Sequence, residues 1–168
     1  MATQDSEIAV PGTFLGLSGS LDAAHQTAWV EIGLDRVDTQ DPERDRNLRR
    51  HFFETDQFPR ARVVISEVEL EGASDPNTAV LAIGEARAAR VQADLELRGA
   101  HYPIVSRVRI TREGPERIRV TSRDPILVAS GDVGLRAQFT LLEVGCGIGS
   151  ISEVVTVEVD LVFAGGAD

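Results

Sequence analysis

Histidine, cysteine and serine are the side chains of this sequence that are suited to bind a metal or attack a substrate. The three histidines stand at positions 25, 51 and 101, and no two have the i,i+4 spacing that places two ligands on one helical face. The single cysteine, Cys146, excludes an internal disulfide and any metal site built from several cysteines. No Gly-x-Ser-x-Gly motif marks a serine as a nucleophile. The sequence therefore predicts neither a metal centre nor a set of catalytic residues.

Charged side chains are concentrated in a segment that follows Asp41. Asp41 is a suitable N-cap and Pro42 suits the first helical position, so the pattern predicts a helix from about Pro42 to residue 53. On this helix Asp45 and Arg49 stand four residues apart, where an ion pair contributes roughly a few tenths of a kcal/mol. Asp45 thus has a structural interpretation. Its functional interpretation, as a polar group beside Arg44 at the mouth of a binding site, depends on the surrounding fold.

The glycine-rich segment 141–149, Leu-Leu-Glu-Val-Gly-Cys-Gly-Ile-Gly, resembles the first motif of class I methyltransferases, which bind S-adenosylmethionine. In that motif a buried strand ends in a turn whose glycines let the backbone approach the cofactor. Too few residues follow Gly149 for the strand–helix units that such a domain requires, and they alternate as an antiparallel strand. We therefore expect these glycines to bend a strand or to form a wide turn.

Length and charge set limits on the partners. A chain of 168 residues has the size of one domain, and we expect residues 1–168 to form a single domain. Its 27 acidic and 17 basic residues give a net charge of −10, which repels nucleic acid. The segment Met1–Glu7 lacks the features of a signal peptide, and no apolar run reaches the ~20 residues of a membrane span. These features predict a cytoplasmic chain with no membrane span and no nucleic-acid partner.

Apolar and polar residues alternate with a period of two through much of the chain, which is typical of antiparallel sheet with one apolar face. The alternation is clearest in residues 28–35, 93–98, 104–110, 117–120 and 155–163. Turn signals such as Arg98-Gly99 and Gly114-Pro115 separate these segments. Several strands at this spacing predict an all-β sandwich or barrel.

With the strands placed, the chain resembles the YceI-like family over residues 10–163. The resemblance is carried by the charged helix with its aromatic residues, by a serine-containing strand and by a strand–Gly–Pro hairpin. The matching residues are Thr39, Arg44-Asp45, Leu48, Phe52-Phe53, Phe58-Pro59, Ser66 and the segments 10–19 and 93–104. The resemblance implies an antiparallel lipocalin-like β-barrel of about eight strands, with one short helix around residues 42–53.

The family resemblance also implies a function, namely the binding of an isoprenoid quinone, a polyprenoid or a fatty-acid-like lipid in the barrel, without catalysis and with no other cofactor. A prenyl chain needs a long apolar bore, in which each buried methylene contributes about 0.8 kcal/mol. Arg44 and Asp45 are then candidates for a polar mouth. The candidate lining residues are Phe14, Trp29, Leu48, Phe53, Phe58, Val63, Ile65, Leu95, Leu97, Val157, Val159 and Leu161.

One departure from the family concerns the edges of the sheet. The usual first strand of the family has no clear counterpart, and only Glu7–Val10 is available to replace it. Because proteins normally cover exposed sheet edges, three arrangements remain open. The barrel is open with fewer strands, is closed by this short strand, or pairs with a second copy as a homodimer.

Two other functions remain as alternatives. A small-barrel enzyme, of the cyclase or isomerase type, would need titratable groups that point inward, and Arg62, Glu67, Glu69 and Asp94 are the candidates for that position. A barrel filled by its own side chains would instead serve as a structural or interaction module. For each single lining residue, a role in the core is the alternative to a role in ligand binding.

Overall fold

The computed structural model describes residues 11–22, 25, 27–73, 81–146 and 152–165. The predicted strand at Glu7–Val10 lies outside these residues. The strands are β1 (Thr13–Asp22), β2 (Thr27–Asp38), β3 (Arg60–Leu70), β4 (Ala86–Leu97), β5 (Ala100–Gly114), β6 (Arg117–Ser122), β7 (Ile126–Ala129), β8 (Val154–Val157) and β9 (Asp160–Ala164). The helices are α1 (Pro42–Asn47) and α2 (Arg136–Cys146). Helix α1 continues into a π-helical turn (Leu48–Phe52).

Seven of these strands form one sheet in the order β1-β2-β3-β4-β5-β6-β9, and every neighbouring pair is antiparallel. The sheet curls until its two end strands meet, and a Cβ placed on Gly19 of β1 would lie 3.5 Å from the Phe163 ring of β9. The result is a nearly closed barrel, which confirms the predicted all-β fold. No helix within the described ranges is long and apolar enough to cross a membrane.

The predicted helix after Asp41 is confirmed. The Asp41 carboxylate accepts hydrogen bonds from the backbone N–H groups of Glu43 and Arg44, at 3.0 and 3.1 Å. Pro42 follows in the first helical position, where its missing N–H costs nothing. The helix and its π-helical turn carry the chain from β2 across one end of the barrel towards β3.

A second helix, α2, includes Gly145, where we expected a bent strand or a wide turn, so that expectation is wrong for the residues up to Cys146, whereas Gly147 and Gly149 lie outside the described residues. The residues before the glycines, Arg136 to Val144, include good helix formers. At the helical spacing of three, Phe139 and Leu142 share a buried face. The Phe139 ring packs edge-on against Phe52 with a centroid distance of 5.1 Å. This tertiary contact favours helix over the strand indicated by the local pattern.

The last alternating run, 155–163, was predicted as one strand and is instead divided. Residues 154–157 form β8, which pairs with β7 in a separate two-stranded sheet. Only the part from Asp160 onwards pairs with β6 in the barrel. The segment between β6 and β9 is therefore an excursion from the barrel wall that contains β7, α2 and β8.

Most buried apolar residues gather at one end of the barrel, which we call the packed end. Strand residues contribute from the wall, and aromatic residues contribute from the turn after α1 and from α2. The members of the packed end are Leu34, Phe52, Phe53, Ala61, Leu97, Val133, Leu135, Phe139 and Leu142. A smaller buried cluster of Ala89, Val91 and Val108 lies on the β4–β5 wall further from this end.

Candidate functional site

The interior of the barrel between these clusters is lined by apolar strand residues, and we call it the bore. Cross-strand partners share a face, so the row Val30–Val63–Leu95–Tyr102 runs around the inside of the barrel. On the other wall Leu161 pairs with Val120. The inward-facing residues that are only partly buried include Val63, Ile65, Ala93, Leu95, Tyr102, Ile104, Ile110, Ile118, Val120, Leu161 and Phe163.

Partial exposure of these side chains has a direct physical meaning. An apolar residue that faces the inside of a filled barrel loses nearly all contact with solvent, as Leu97 does at 7% exposure. The bore residues keep a measurable part of their surface although they point inward. These residues are therefore packed less completely than the buried members of the packed end, although Leu95 and Tyr102 contact that cluster and Ile65 and Val120 contact the smaller one.

Four of the predicted lining residues lie at the packed end rather than along the bore. The ring of Phe53 lies between those of Phe14 and Phe52, with centroid distances of 5.8 and 4.9 Å and edge-on geometry. Leu48 packs against the same cluster, and Leu97 is a buried member of it. These residues close one end of the barrel, so their contact with a ligand is confined to the floor of the bore.

Phe58 has a different environment from the other candidates. It is partly buried, and the guanidinium of Arg98 lies 5.6 Å from the centroid of its ring. Arg98 also forms an ion pair with Glu54 and adopts a positive φ of 53° in the tight β4–β5 turn. Phe58 thus supports this turn at the packed end, where the arginine stacks on the ring.

Two predicted lining residues do not face the bore. Trp29 pairs with Ser20 and Val64 on the outer face, where the guanidinium of Arg62 lies 5.0 Å from its ring centroid. The alternation that sends Ala28 and Val30 inward sends Trp29 outward. Val157 belongs to the separate β7–β8 sheet and is 37% exposed. Val159 is partly buried, and its backbone bonds to Ser122 extend the inward row of β9.

Of the two residues predicted for a polar mouth, Asp45 makes structural contacts within the fold and Arg44 lies near the surface. Asp45 is buried and accepts hydrogen bonds from the backbone N–H and the hydroxyl of Thr39, at 2.8 and 2.6 Å. The Thr39 hydroxyl bond is the main cause that lowers the pKa of Asp45 below its usual range. Arg44 approaches Asp41 at 3.5 Å. Asp45 therefore ties α1 to the end of β2, and the family motif of Thr and Arg-Asp has a structural explanation.

The titratable groups considered for a catalytic role lie outside the bore. Arg62, Glu67 and Glu69 are exposed on β3. Asp94 pairs with Val64 on the outer face and accepts a hydrogen bond from His101, with 2.6 Å between the two atoms. None of these four side chains reaches the apolar interior. The hypothesis of a small-barrel enzyme is therefore not supported by the residues proposed for it.

Two clefts lie along the wall of the barrel. One, of about 740 Å³, lies at the seam of β1 and β9 and reaches Val30, Ile118 and Phe163. The other, of about 880 Å³, lies between the first half of β5 and the segment that contains β7. The second cleft exists because β6 is short and pairs with β5 only from Val108 onwards. Each cleft is lined in part by inward-facing residues, such as Val30 and Phe163 in the first and Tyr102 and Ile104 in the second.

Sequence reasoning missed Tyr102, Ile104 and Phe163 as lining residues. Tyr102 pairs with the predicted residue Leu95, Ile104 is two residues further along the same face of β5, and Phe163 is two residues beyond the predicted Leu161 on β9. For Tyr102 and Ile104 the signal is the hairpin register set by Arg98-Gly99, since pairing outward from that turn fixes the face of every residue in β5, and for Phe163 it is the alternation with Leu161.

Comparison with known proteins identifies the fold independently. The family model for the YceI-like domain matches residues 3–163. A polyisoprenoid-binding domain from Saccharophagus degradans, implicated in plant cell wall breakdown, is 28% identical with a TM-score of 0.81, and the match covers 92% of this chain and 85% of that one.

Two further solved structures share the fold at lower identity. The YceI protein of Campylobacter jejuni is 16% identical with a TM-score of 0.69, and the match covers 99% of this chain and 92% of that one. BcnA of Burkholderia cenocepacia is 14% identical with a TM-score of 0.69, with 94% and 89% covered. No curated protein matches the sequence at the threshold applied.

Proposed function

The chain belongs to the YceI-like family, and from that premise we propose that it binds an isoprenoid or similar amphiphilic lipid in the bore and carries it without chemical change. The polyisoprenoid-binding domain of Saccharophagus degradans, a relative at 28% identity, supports the class of ligand. The outward position of Arg62, Glu67, Glu69 and Asp94 supports a carrier rather than an enzyme.

The single observation that carries the proposal is the partial exposure of apolar residues that point into the barrel. Val63, Ile65, Leu95 and Leu161 face inward from three strands and remain only partly buried. A lipid chain that occupied this space would cover their remaining apolar surface. Each methylene that it buries contributes about 0.8 kcal/mol, so a chain of ten carbons supplies about 8 kcal/mol before the cost of ordering it.

Two neighbouring valines on β3 provide a matched test. Val63 faces the bore between Val30 and Leu95, whereas Val64 is 42% exposed on the outer face. Val63→Phe places extra volume in the bore, and Val64→Phe places the same volume in solvent. We expect Val63→Phe to weaken the binding of a tetraprenyl quinone at least tenfold, because the two groups compete for the same space, while Val64→Phe changes binding less than twofold.

The measurement is a titration of the delipidated protein with the quinone, together with thermal unfolding of each variant. Unfolding temperatures close to that of the wild type exclude loss of the fold as the cause of weaker binding. Equal binding by the two variants, or failure of the wild-type chain to bind any prenyl lipid, would show that the bore is not the ligand site.

A further inference from the structure

Two strand edges face each other across the larger of the two clefts without forming a ladder. The Arg123 N–H donates to the Arg107 carbonyl at 2.9 Å, which continues the register of β5 and β6 by one pair beyond Val108. After that pair, β5 and β7 are not neighbours in either sheet of the described residues. We call this break in the wall the side gap, and its borders are residues 102–107 and 124–128.

The register shows which residues would have to bond to close the side gap. In an antiparallel ladder, every second pair of opposite residues exchanges hydrogen bonds. Two and four residues beyond the last bonded pair, the next bonded positions would join Val105 to Pro125, and Pro103 to Leu127. Each of these two pairs contains a proline. Because proline has no backbone N–H, each pair lacks one of its two donors.

The bonding of β7 on its other side agrees with this register. The Ser130 N–H donates to the Glu153 carbonyl at 2.7 Å, in line with the β7–β8 pairs. Even-numbered residues of β7 therefore bond to β8, and the odd-numbered Leu127 turns its backbone groups towards β5. On the other border, the β4–β5 register runs unbroken past Pro103, so this proline affects only the side gap.

The two prolines differ from the usual proline on a strand edge. Proline on an edge normally prevents pairing with another chain. Pro103 and Pro125 instead stand on opposite borders of one gap within a single chain, where they hinder the wall from closing on itself. Val105 and Leu127, which are 55% and 69% exposed, form the outer rims of this gap, and Ile104 faces inward beside it.

Other routes into the bore are narrowed by side chains. Aromatic rings fill the packed end. At the opposite end, where β5 ends, Arg112 donates hydrogen bonds to the carbonyls of Leu81 and Pro115 at 2.9 and 3.1 Å, and Leu81 is buried. At the seam of β1 and β9, the Phe163 ring lies 3.5 Å from the position of a Cβ on Gly19.

We propose that a lipid enters and leaves the bore sideways, through the side gap that Pro103 and Pro125 keep unpaired. The proposal rests on the proposed function and adds the route of the ligand. A long tail that enters from the side does not have to thread through an end of the barrel. The rate of exchange is then set by how far the two borders of the gap separate.

A chemical bridge across the gap tests this route. Val105→Cys and Leu127→Cys place thiols on the two outer rims of a chain that also carries Cys146→Ala, and a short, cleavable bismaleimide joins them. The matched control, Arg109→Cys with Thr121→Cys in the same background, bridges two outward residues that are directly opposite each other where β5 and β6 are paired. Each bridged protein is loaded with a tetraprenyl quinone, and release of the quinone into excess phosphatidylcholine vesicles is timed.

We expect the bridge across the gap to slow both release and uptake about tenfold or more, and to leave the equilibrium affinity within about twofold, because a barrier on a shared route affects both rates. Cleavage of the bridge should restore the original rates. The control bridge should leave both rates within about twofold of those of the unbridged protein. Equal slowing by the two bridges, or no slowing by the bridge across the gap, would show that the lipid takes another route.

The role of the prolines is tested in the chain without lipid. Pro103→Val combined with Pro125→Val supplies both missing donors, so we expect the gap to close in part and hydrogen exchange of the Val105 and Leu127 amides to slow about tenfold or more. Pro115→Val, in the turn between β5 and β6, is the control and should leave this exchange unchanged. Thermal unfolding verifies that each variant is folded. Unchanged exchange in the folded double variant would overturn the role given to the prolines.

The outcomes separate this proposal from the proposed function. If the wild type binds no tetraprenyl quinone, the proposed function fails and the route fails with it. If the wild type binds the quinone but the bridge across the gap does not slow its exchange, only the route fails, and the proposed function stands.

Discussion

Leu97 and Leu161 both point into the barrel from strands of the same sheet, yet their surroundings differ. Leu97 is 7% exposed and belongs to the packed end, in contact with residues from the turn after α1 and from α2. Leu161 is only partly buried, although its cross-strand neighbour Val120 is also apolar. The difference arises because helical segments cover one end of the barrel, whereas in the bore the strands face only one another.

The packed end and the bore are both built from apolar side chains, but these side chains are packed differently in the two regions. Interlocking aromatic rings fill the packed end, as in an ordinary protein core. The bore has apolar walls, and its smaller cluster of Ala89, Val91 and Val108 contains no aromatic ring. Under the proposed function, a ligand in the bore would bury the apolar surface that these walls leave exposed, and would thereby stabilise the fold.

The largest expected effect comes from truncating the two leucines. Leu97→Ala leaves a cavity in a filled cluster and should lower the free energy of unfolding by about 2–5 kcal/mol. Leu161→Ala removes the same atoms from a space that is already open, so its cost without ligand should be less than half as large. Chemical denaturation of both variants, with and without a prenyl lipid, measures the difference.

The ligand makes this comparison sharper. Added lipid should stabilise the wild type, and it should stabilise Leu161→Ala less, because the shortened side chain offers the lipid a smaller apolar contact. Equal destabilisation by the two variants in the absence of lipid would mean that the bore is packed as tightly as the other end.

An intermediate effect is expected from the hydrogen bonds between Thr39 and Asp45, which hold α1 against the end of β2. Because the pKa of Asp45 is lower in the folded chain than its usual value, the carboxylate stabilises the fold above the unfolded pKa, and this contribution is lost as pH falls through the folded pKa. Asp45→Asn should therefore be less stable than the wild type at neutral pH, and the difference should shrink below about pH 4.

Unfolding curves from pH 7 to pH 2.5 measure this difference, and Thr39→Val provides the matched partner. Since the hydroxyl of Thr39 is the main donor to Asp45, the double variant should lose less stability than the sum of the two single variants. A gap between wild type and Asp45→Asn that stays constant with pH would contradict the role assigned to the carboxylate.

The smallest effect is expected on the outer face. Arg62→Ala removes the stacking of an exposed guanidinium on Trp29, which contributes about 0.5–1 kcal/mol at such sites. Neither Arg62→Ala nor Trp29→Phe should alter lipid affinity by more than twofold, since both side chains lie outside the bore. A larger loss of affinity in these variants, measured by the same titration, would place the ligand on the outside of the barrel.

The barrel and its first helix were predictable because the signals that specify them are local. Alternation of residues in the strands, the Arg98-Gly99 turn and the Asp41-Pro42 helix start each depend on neighbours in sequence, and the structure confirms all three. Trp29 shows the limit of choosing residues by type. Its size suggested a lining role, but its place in the alternation sets it on the outer face.

The parts that were not predictable depend on distant contacts. The choice between helix and strand at α2 is made by the packing of Phe139 on Phe52, which are far apart in sequence. The bond from Thr39 to Asp45 requires the end of β2 to lie beside α1, so the helix sequence alone suggested Arg49 as the partner. The cleft between β5 and the segment that contains β7 depends on where β6 stops pairing, which no local pattern specifies.

A crystal structure of the chain loaded with a prenyl lipid that carries bromine at the end of its tail would test the central claim most directly. The account predicts one anomalous bromine peak inside the barrel, within van der Waals contact of bore residues such as Val63 and Leu161, with the packed end unchanged. A bromine peak on the outer surface, or an interior filled by side chains from the walls, would contradict it.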